Sequence, residues 1–196
     1  METVGSILKQ ILQEIYKGFF ASLLIAVLFM FLYIGAKKFG WKEIAKEWIN
    51  EFKKNSRFRK LFFLAFYSAM ILFDSLLGRS FYSSPLNNVL GVWGLYDKNG
   101  RFNSDAIINI IFFAPFIILL FWTYRDKIFK SGKLNYWRVV GKAAVICFCI
   151  SFGIEFSQLI FKLGTVQMSD LAFNSLGGVL GGTIYYLCYK LHNRAK

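Results

Sequence analysis

Five stretches of this chain, residues 18–36, 61–77, 106–124, 139–161 and 171–189, are continuous and predominantly apolar. Each reaches or approaches the roughly 20 residues that a helix needs to cross a hydrocarbon core about 30 Å thick. In lipid the backbone must satisfy its own hydrogen bonds, which leaves helices or a closed barrel. The runs have no period-two alternation, so a barrel is excluded. A hydrophobic content of 56% with 19% aromatic residues exceeds what a soluble domain carries. The expected fold is all-α, a polytopic transmembrane bundle of about five spans. Residues 1–60 would supply an amphipathic helix, the first span and a basic interfacial helix, and residues 61–196 a four-span membrane domain.

The formal net charge of +13 invites a nucleic-acid reading, but the distribution of the charge removes it. Segment 37–60 holds nine Lys/Arg, segment 125–142 six and segment 190–196 three, which leaves six for the rest of the chain. The positive-inside rule makes these three segments cytoplasmic and puts the N-terminus and the connections 78–105 and 162–170 outside, with the C-terminus inside. The basic excess then serves topology and attraction to anionic lipid. No nucleic-acid partner is expected.

Two segments outside the spans have helical amphipathic spacing. Ile7, Leu8, Ile11, Leu12 and Ile15 form one stripe; Trp41, Ile44, Ala45, Trp48 and Phe52 form another, opposite Lys42, Glu43, Lys46 and Glu47. Both are expected to lie along the membrane interface as anchors. The connection 78–105 is long and aromatic, carrying Phe81, Tyr82, Trp93, Tyr96 and Phe102, which suits a lid or an interfacial belt. Turn residues between Tyr96 and Phe102 suggest a hairpin. Cys147, Cys149 and Cys188 have no metal-ligand spacing and read as small apolar residues within spans, so neither a metal nor another cofactor is expected. No small-residue cleavage site follows the first apolar run, so that run is expected to remain in the protein.

The polar residues inside the spans are the most informative feature. With the topology above, Asp74 lies about one turn below the outer end of span two, with Arg79 just beyond it. Asn109 lies in the first turns of span three. Glu155 in span four precedes Leu163 by eight residues, so it sits roughly 12 Å below the outer end at 1.5 Å per residue. Gln158 is one turn nearer to water. Asp170 starts span five and Asn174 follows one turn in. Four spans thus direct their strongly polar groups to one half of the membrane. An ionisable residue in a span is costly and marks a site facing the bundle interior or a water-filled cavity. The alternative is interhelical glue, at about 0.6–2 kcal/mol per bond, less than the insertion cost of about 2.5–3.5 kcal/mol for a central charge. The reading is therefore an outward polar pocket of Asp74, Arg79, Asn109, Glu155, Gln158, Asp170 and Asn174, with Arg79 partnering Asp74 or Glu155.

Gly177, Gly178, Gly181 and Gly182 form two overlapping small-xxx-small patterns in span five, which invite close approach of another helix, expected to be span four. Pro115 removes the donor for the Ile111 carbonyl and predicts a kink in span three.

Asn109-x5-Pro115-Phe116, then Ile154-Glu155-x2-Gln158, then Asp170-x3-Asn174-x2-Gly177-Gly178-x2-Gly181 resemble the signature of the VanZ-like family of bacterial membrane proteins, associated with resistance to the glycopeptide antibiotic teicoplanin. The resemblance runs from about Asp74 to Tyr189 and leaves out the first sixty residues. Arg79 resembles an arginine common there in the family. Ile117 stands where the family usually has Gly, and Gln167 where an acidic residue is common. The resemblance implies a multi-pass protein of the bacterial cell membrane with a role at the envelope.

Three functions compete on these residues. The pocket binds a membrane-lipid headgroup or a lipid-linked cell-wall precursor, without catalysis. Alternatively, a membrane-embedded enzyme modifies such a lipid with Glu155 or Asp170 as general acid or base, although no Ser-His or metal constellation accompanies them. Or a small proton-coupled transporter uses Glu155 as a relay, although no internal repeat is visible. The first is favoured, and nothing in the sequence sets an oligomeric state. The topology predicts that Asn99→Cys in a cysteine-free background reacts with an impermeant thiol reagent applied from outside. Labelling of Asn50→Cys from that side would reverse the orientation of every span.

Overall fold

The computed structural model describes residues 5, 7, 8, 11, 22, 23, 25–31, 33, 34, 40–77, 84–96, 99–130 and 134–194. Five helices are complete within them: α1 Trp41–Lys54, α2 Ser56–Leu72, α3 Asp105–Phe129, α4 Tyr136–Phe161 and α5 Met168–Arg194. The described residues contain no strand, only an antiparallel bridge between Tyr96 and Phe102. The protein is all-helical, as the apolar runs require. By length and composition α3, α4 and most of α5 can cross a membrane. The run 61–77 is helical throughout, but α2 turns π-helical at Phe73–Leu77. The run 18–36 is helical where it is described.

Asn55 alone separates α1 from α2. Its backbone N–H bonds to the Glu51 carbonyl, while its side-chain oxygen accepts from the amides of Arg57 and Phe58 at 3.0 and 3.2 Å. One residue thus closes one helix and caps the next, a role for which a short amide side chain is suited. Arg59 completes the corner by donating to the carbonyls of Phe52 and Lys53, which the end of α1 leaves open. The corner folds the apolar face of α1 back onto protein. The Trp48 ring lies 5.2 Å from Phe52 and 5.7 Å from Phe62, within a cluster that includes Ala26, Met30 and Ile34. The expected surface anchor is therefore partly an internal brace, with Trp41 and Ile49 its exposed apolar residues. Of the expected N-terminal amphipathic helix, Leu12 and Ile15 lie outside the described residues, and Ile7, Leu8 and Ile11 are helical.

The main core joins α2, α3, α4 and α5 around Phe113, Ile117, Phe121, Val139, Ala143 and Cys147. Ile117 is wholly buried there. Helix α5 packs extensively on both α3 and α4, whereas α3 and α4 barely touch. Its glycines explain how one helix serves two neighbours. A Cβ on Gly177 would stand 2.7 Å from the Ile110 carbonyl, and one on Gly181 would overlap the Ala114 carbonyl of α3. On Gly178 it would stand 2.6 Å from Cys147 Sγ, and on Gly182 2.9 Å from Ala143 Cβ of α4. The two small-residue patterns are separate faces, 177/181 toward α3 and 178/182 toward α4. Packing on span four alone accounts for half of the contact.

Pro115 lies within α3 with its backbone dihedrals still helical. The one residue with non-helical dihedrals inside the helix is Tyr124 (φ −118°, ψ 25°), nine positions further on. Two side chains compete with the backbone ladder just before it: Thr123 donates to the Leu119 carbonyl at 2.7 Å, and Tyr185 donates to the Phe121 carbonyl at 3.3 Å. Side chains inserted into the ladder are a recognised cause of helix distortion. Of the cysteines, Cys147 is buried, while Cys149 and Cys188 face outward from the bundle.

The glycine geometry predicts a graded response to one methyl group. Gly181→Ala and Gly178→Ala are expected to lower the thermal unfolding midpoint in detergent, with about 1–3 kcal/mol lost to overpacking. Gly141→Ala and Gly153→Ala, where a Cβ meets nothing within 4 Å, are expected to be neutral or to stabilise by up to about 1 kcal/mol through helix propensity. Equal midpoints for the two pairs would contradict the close approach of α5 to its neighbours.

Candidate functional site

Helix α4 carries Ser151, Ile154, Glu155 and Gln158 as a buried stripe at helical spacing. Phe148, Phe152 and Phe156 line the opposite, exposed face, their rings stacked at 6.5 and 6.3 Å. That division is ordinary for a membrane helix except that its inward face is the polar one, and α5 answers it with Asp170 and Asn174. Helix α3 adds Asn109, and the π-helical end of α2 adds Asp74 and Ser75. These groups line one cavity of about 40 Å³, closed on its apolar sides by Ile71, Phe112, Phe113 and Ile154. A π-turn inserts one extra residue into the helical repeat and is frequent at functional sites.

Six of the seven residues expected in the pocket thus surround a single cavity: Asp74, Asn109, Glu155, Gln158, Asp170 and Asn174. Arg79 lies outside the described residues, and with it the expected pairing to Asp74 or Glu155. Lys162 ends α4 in a left-handed conformation (φ 53°, ψ 46°) and is exposed. It does not line the cavity.

Glu155 is only 4% exposed, and a backbone group helps to stabilise it there. The amide of Gln167 donates to Glu155 Oε2 at 2.8 Å, immediately before the start of α5. A carboxylate at a helix N-terminus also meets the positive end of the helix dipole. Asp170, in the first turn of the same helix, shares that field and accepts from Asn109 Nδ2 at 2.9 Å. Asn174 Nδ2 donates to Ser151 Oγ at 2.8 Å.

Gln158 differs from these. Its Nε2 donates to the Ser75 carbonyl at 2.9 Å, and a carbonyl can only accept, which fixes the orientation of the amide. Gln158 Oε1 is then turned away and has no hydrogen-bond partner among the described residues, although the side chain is 1% exposed. Asn174 Oδ1 is in the same condition. Buried amide oxygens without donors are rare because the desolvation cost is uncompensated. The cavity exceeds the roughly 10–15 Å³ of sphere-centre volume that one water needs.

The long connection 84–103 lies over this region. The amide of Val166 donates to the Pro85 carbonyl at 2.9 Å and that of Met168 to the Val89 carbonyl at 2.7 Å. Gly91, at φ +71°, passes so close to Ser169 that any side chain would collide with it. The connection therefore braces both sides of Gln167, whose amide holds Glu155. Trp93 leans on Phe173 of α5 at 6.0 Å. Asp97 and Lys98 of the expected hairpin lie outside the described residues; on either side of them the Tyr96–Phe102 bridge and a bond from the Asn103 amide to the Leu95 carbonyl join its two arms. Two contributors were not anticipated: Ser75, through its carbonyl, and Gln167, through its amide. The π-turn beside Asp74 and the loop brace that bring them in have no signature in side-chain type. The described residues hold no cluster of His, Cys, Asp and Glu that could bind a metal.

Fold and cavity together define a helical membrane protein with a buried polar cluster between its spans. A family model described as VanZ/LLP1 matches residues 3–189; the chain belongs to this family. The match takes in the N-terminal sixty residues that the motif resemblance leaves out. Protein VanZ from Enterococcus faecium is 28% identical over 118 residues, 56% of this chain and 66% of that protein, so the match spans just under two thirds of the relative's length. No solved structure matches the chain.

The Gln167 contact separates two substitutions. Glu155→Leu strips that amide of its acceptor and is expected to destabilise the protein by about 1–3 kcal/mol. Glu155→Gln keeps an oxygen at the same place and is expected to unfold close to the wild-type midpoint. Identical unfolding of both variants would mean that the contact does not hold the connection.

Proposed function

We propose that this VanZ/LLP1 protein is a multi-pass protein of the bacterial cell membrane that receives a donor group of a lipid headgroup or lipid-linked cell-wall precursor in its polar cavity, and so contributes to teicoplanin resistance. In this reading five spans cross the membrane, the N-terminus is outside, and the cavity lies in the outer half. The observation that carries it is Gln158 Oε1, a buried acceptor held in orientation by its own amide nitrogen and lacking a donor among the described residues. The residues of the cavity wall are rich in acceptors, with three carboxylates and two buried amide oxygens that lack a donor among the described residues. Such a wall favours hydroxyl, amide N–H or ammonium groups over phosphate.

The size of the cavity limits what enters. At about 40 Å³ it takes a water-sized group, so the bulk of a headgroup stays at the interface, beside Trp93, Tyr96 and the rest of the connection 84–103. Exposed Leu86, Leu90 and Trp93 on that connection support contact with lipid. Membership in the family and likeness to Protein VanZ support the envelope role.

The test is a pair of isosteric changes. Glu155→Gln and Asp170→Asn remove charge with little change of shape, and both are expected to abolish the shift in teicoplanin susceptibility while the amount of folded protein in the membrane is retained. A Glu155→Gln protein that confers the full shift would reduce Glu155 to an interhelical bond.

A further inference from the structure

At the opposite end of the bundle from the polar cavity, α2, α3 and α5 enclose an open groove of about 1110 Å³ that no part of the proposed function uses. We propose that this groove binds one anionic phospholipid, with its phosphate between Lys60 and Arg125 and an acyl chain along Ile118 and Leu119.

Charge complementarity is the first argument. Arg57 and Lys60 enter from α2 and Arg125 and Lys127 from α3, against the single carboxylate of Asp126. The cations are positioned by rings. Lys60 Nζ lies 4.9 Å from the centre of the Trp122 ring, and the Arg125 guanidinium 4.7 Å from that of Tyr189. A cation held over an aromatic face keeps its N–H groups free for an anion while its position is restricted, which lowers the ordering cost of binding.

The shape of the groove selects a lipid among anions. From Arg125 the wall continues down α3 to Ile118, seven residues and about 10 Å of helix rise, and Leu119 and Cys188 lie along it. A soluble polyanion would leave this apolar wall uncovered, whereas a phospholipid covers it and still offers its phosphate to the cations. The wall is open to the side: Trp122 is 47% exposed and Cys188 is exposed. The distortion at Tyr124 sits where the apolar wall meets the charged rim. Basic pockets between membrane helices are suited to anionic headgroups, and the excess of cations disfavours a zwitterionic headgroup, whose ammonium they repel. The argument holds in either orientation of the bundle.

The test is native mass spectrometry of the full chain from detergent containing equal amounts of phosphatidylglycerol and phosphatidylcholine. One phosphatidylglycerol is expected to remain bound, preferred over phosphatidylcholine by about tenfold or more. The double variant Lys60→Gln/Arg125→Gln is expected to bring the two lipids to parity. Lys42→Gln/Lys46→Gln, the same change of charge on the exposed face of α1, is expected to keep the preference. Glycerol phosphate, which has the headgroup charge but no chain, is expected not to displace the lipid. The proposal is overturned by a wild type without preference, by a double variant that retains it, by equal loss in the α1 variant, or by displacement with glycerol phosphate alone. If the double variant does not fold, the wild-type preference and the single variant Lys60→Gln, expected to lose most of it, still decide the matter.

Discussion

Everything in this molecule depends on how closely α5 approaches two helices at once. Gly177 and Gly181 place its backbone against α3, and Gly178 and Gly182 place it against α4. Because α3 and α4 scarcely meet each other, α5 is the element through which the bundle is joined. In a membrane no hydrophobic effect pulls apolar helices together, so close van der Waals packing and interhelical bonds must do so. The glycines supply the first and permit the second, since Asn109, Ser151 and Asn174 span the gaps with single hydrogen bonds of ordinary length only at this spacing.

That closeness also governs the carboxylates. Glu155 and Asp170 would be expensive if scattered in lipid. Here both lie at the N-terminal end of α5, where the backbone carries partial positive charge, and both accept from neutral donors, the Gln167 amide and the Asn109 side chain. The connection 84–103 braces the residues on either side of Gln167. A displacement of this connection would be felt at Glu155 through the Gln167 amide. This link ties the aromatic connection to the most deeply buried carboxylate of the described residues.

The two ends of the bundle have opposite chemistry. One holds a small cavity walled by acceptors, and the other a large groove walled by cations and aromatic rings. The first suits a donor group reaching in from an interface, and the second an anionic lipid lying along the helices. Both draw on α3 and α5, and the distortion of α3 at Tyr124 belongs to the second site alone.

The apolar runs, the pairing of Glu155 with Gln158 one turn on, and the glycine spacing of α5 were legible in the sequence, because helical periodicity is a local property that orders residues on a face regardless of what faces them. The gathering of Asp74, Asn109, Gln158, Asp170 and Asn174 into one cluster could also be read from depth, since each position is a fixed rise along its own helix. Which neighbour each glycine pair meets could not be read, and neither could the distortion of α3 at Tyr124. These depend on side chains from other helices, such as Tyr185 on the Phe121 carbonyl. The donor to Glu155 was equally hidden, for a physical reason: it is a backbone amide, which every residue but proline possesses, so only the tertiary structure could select the one at Gln167.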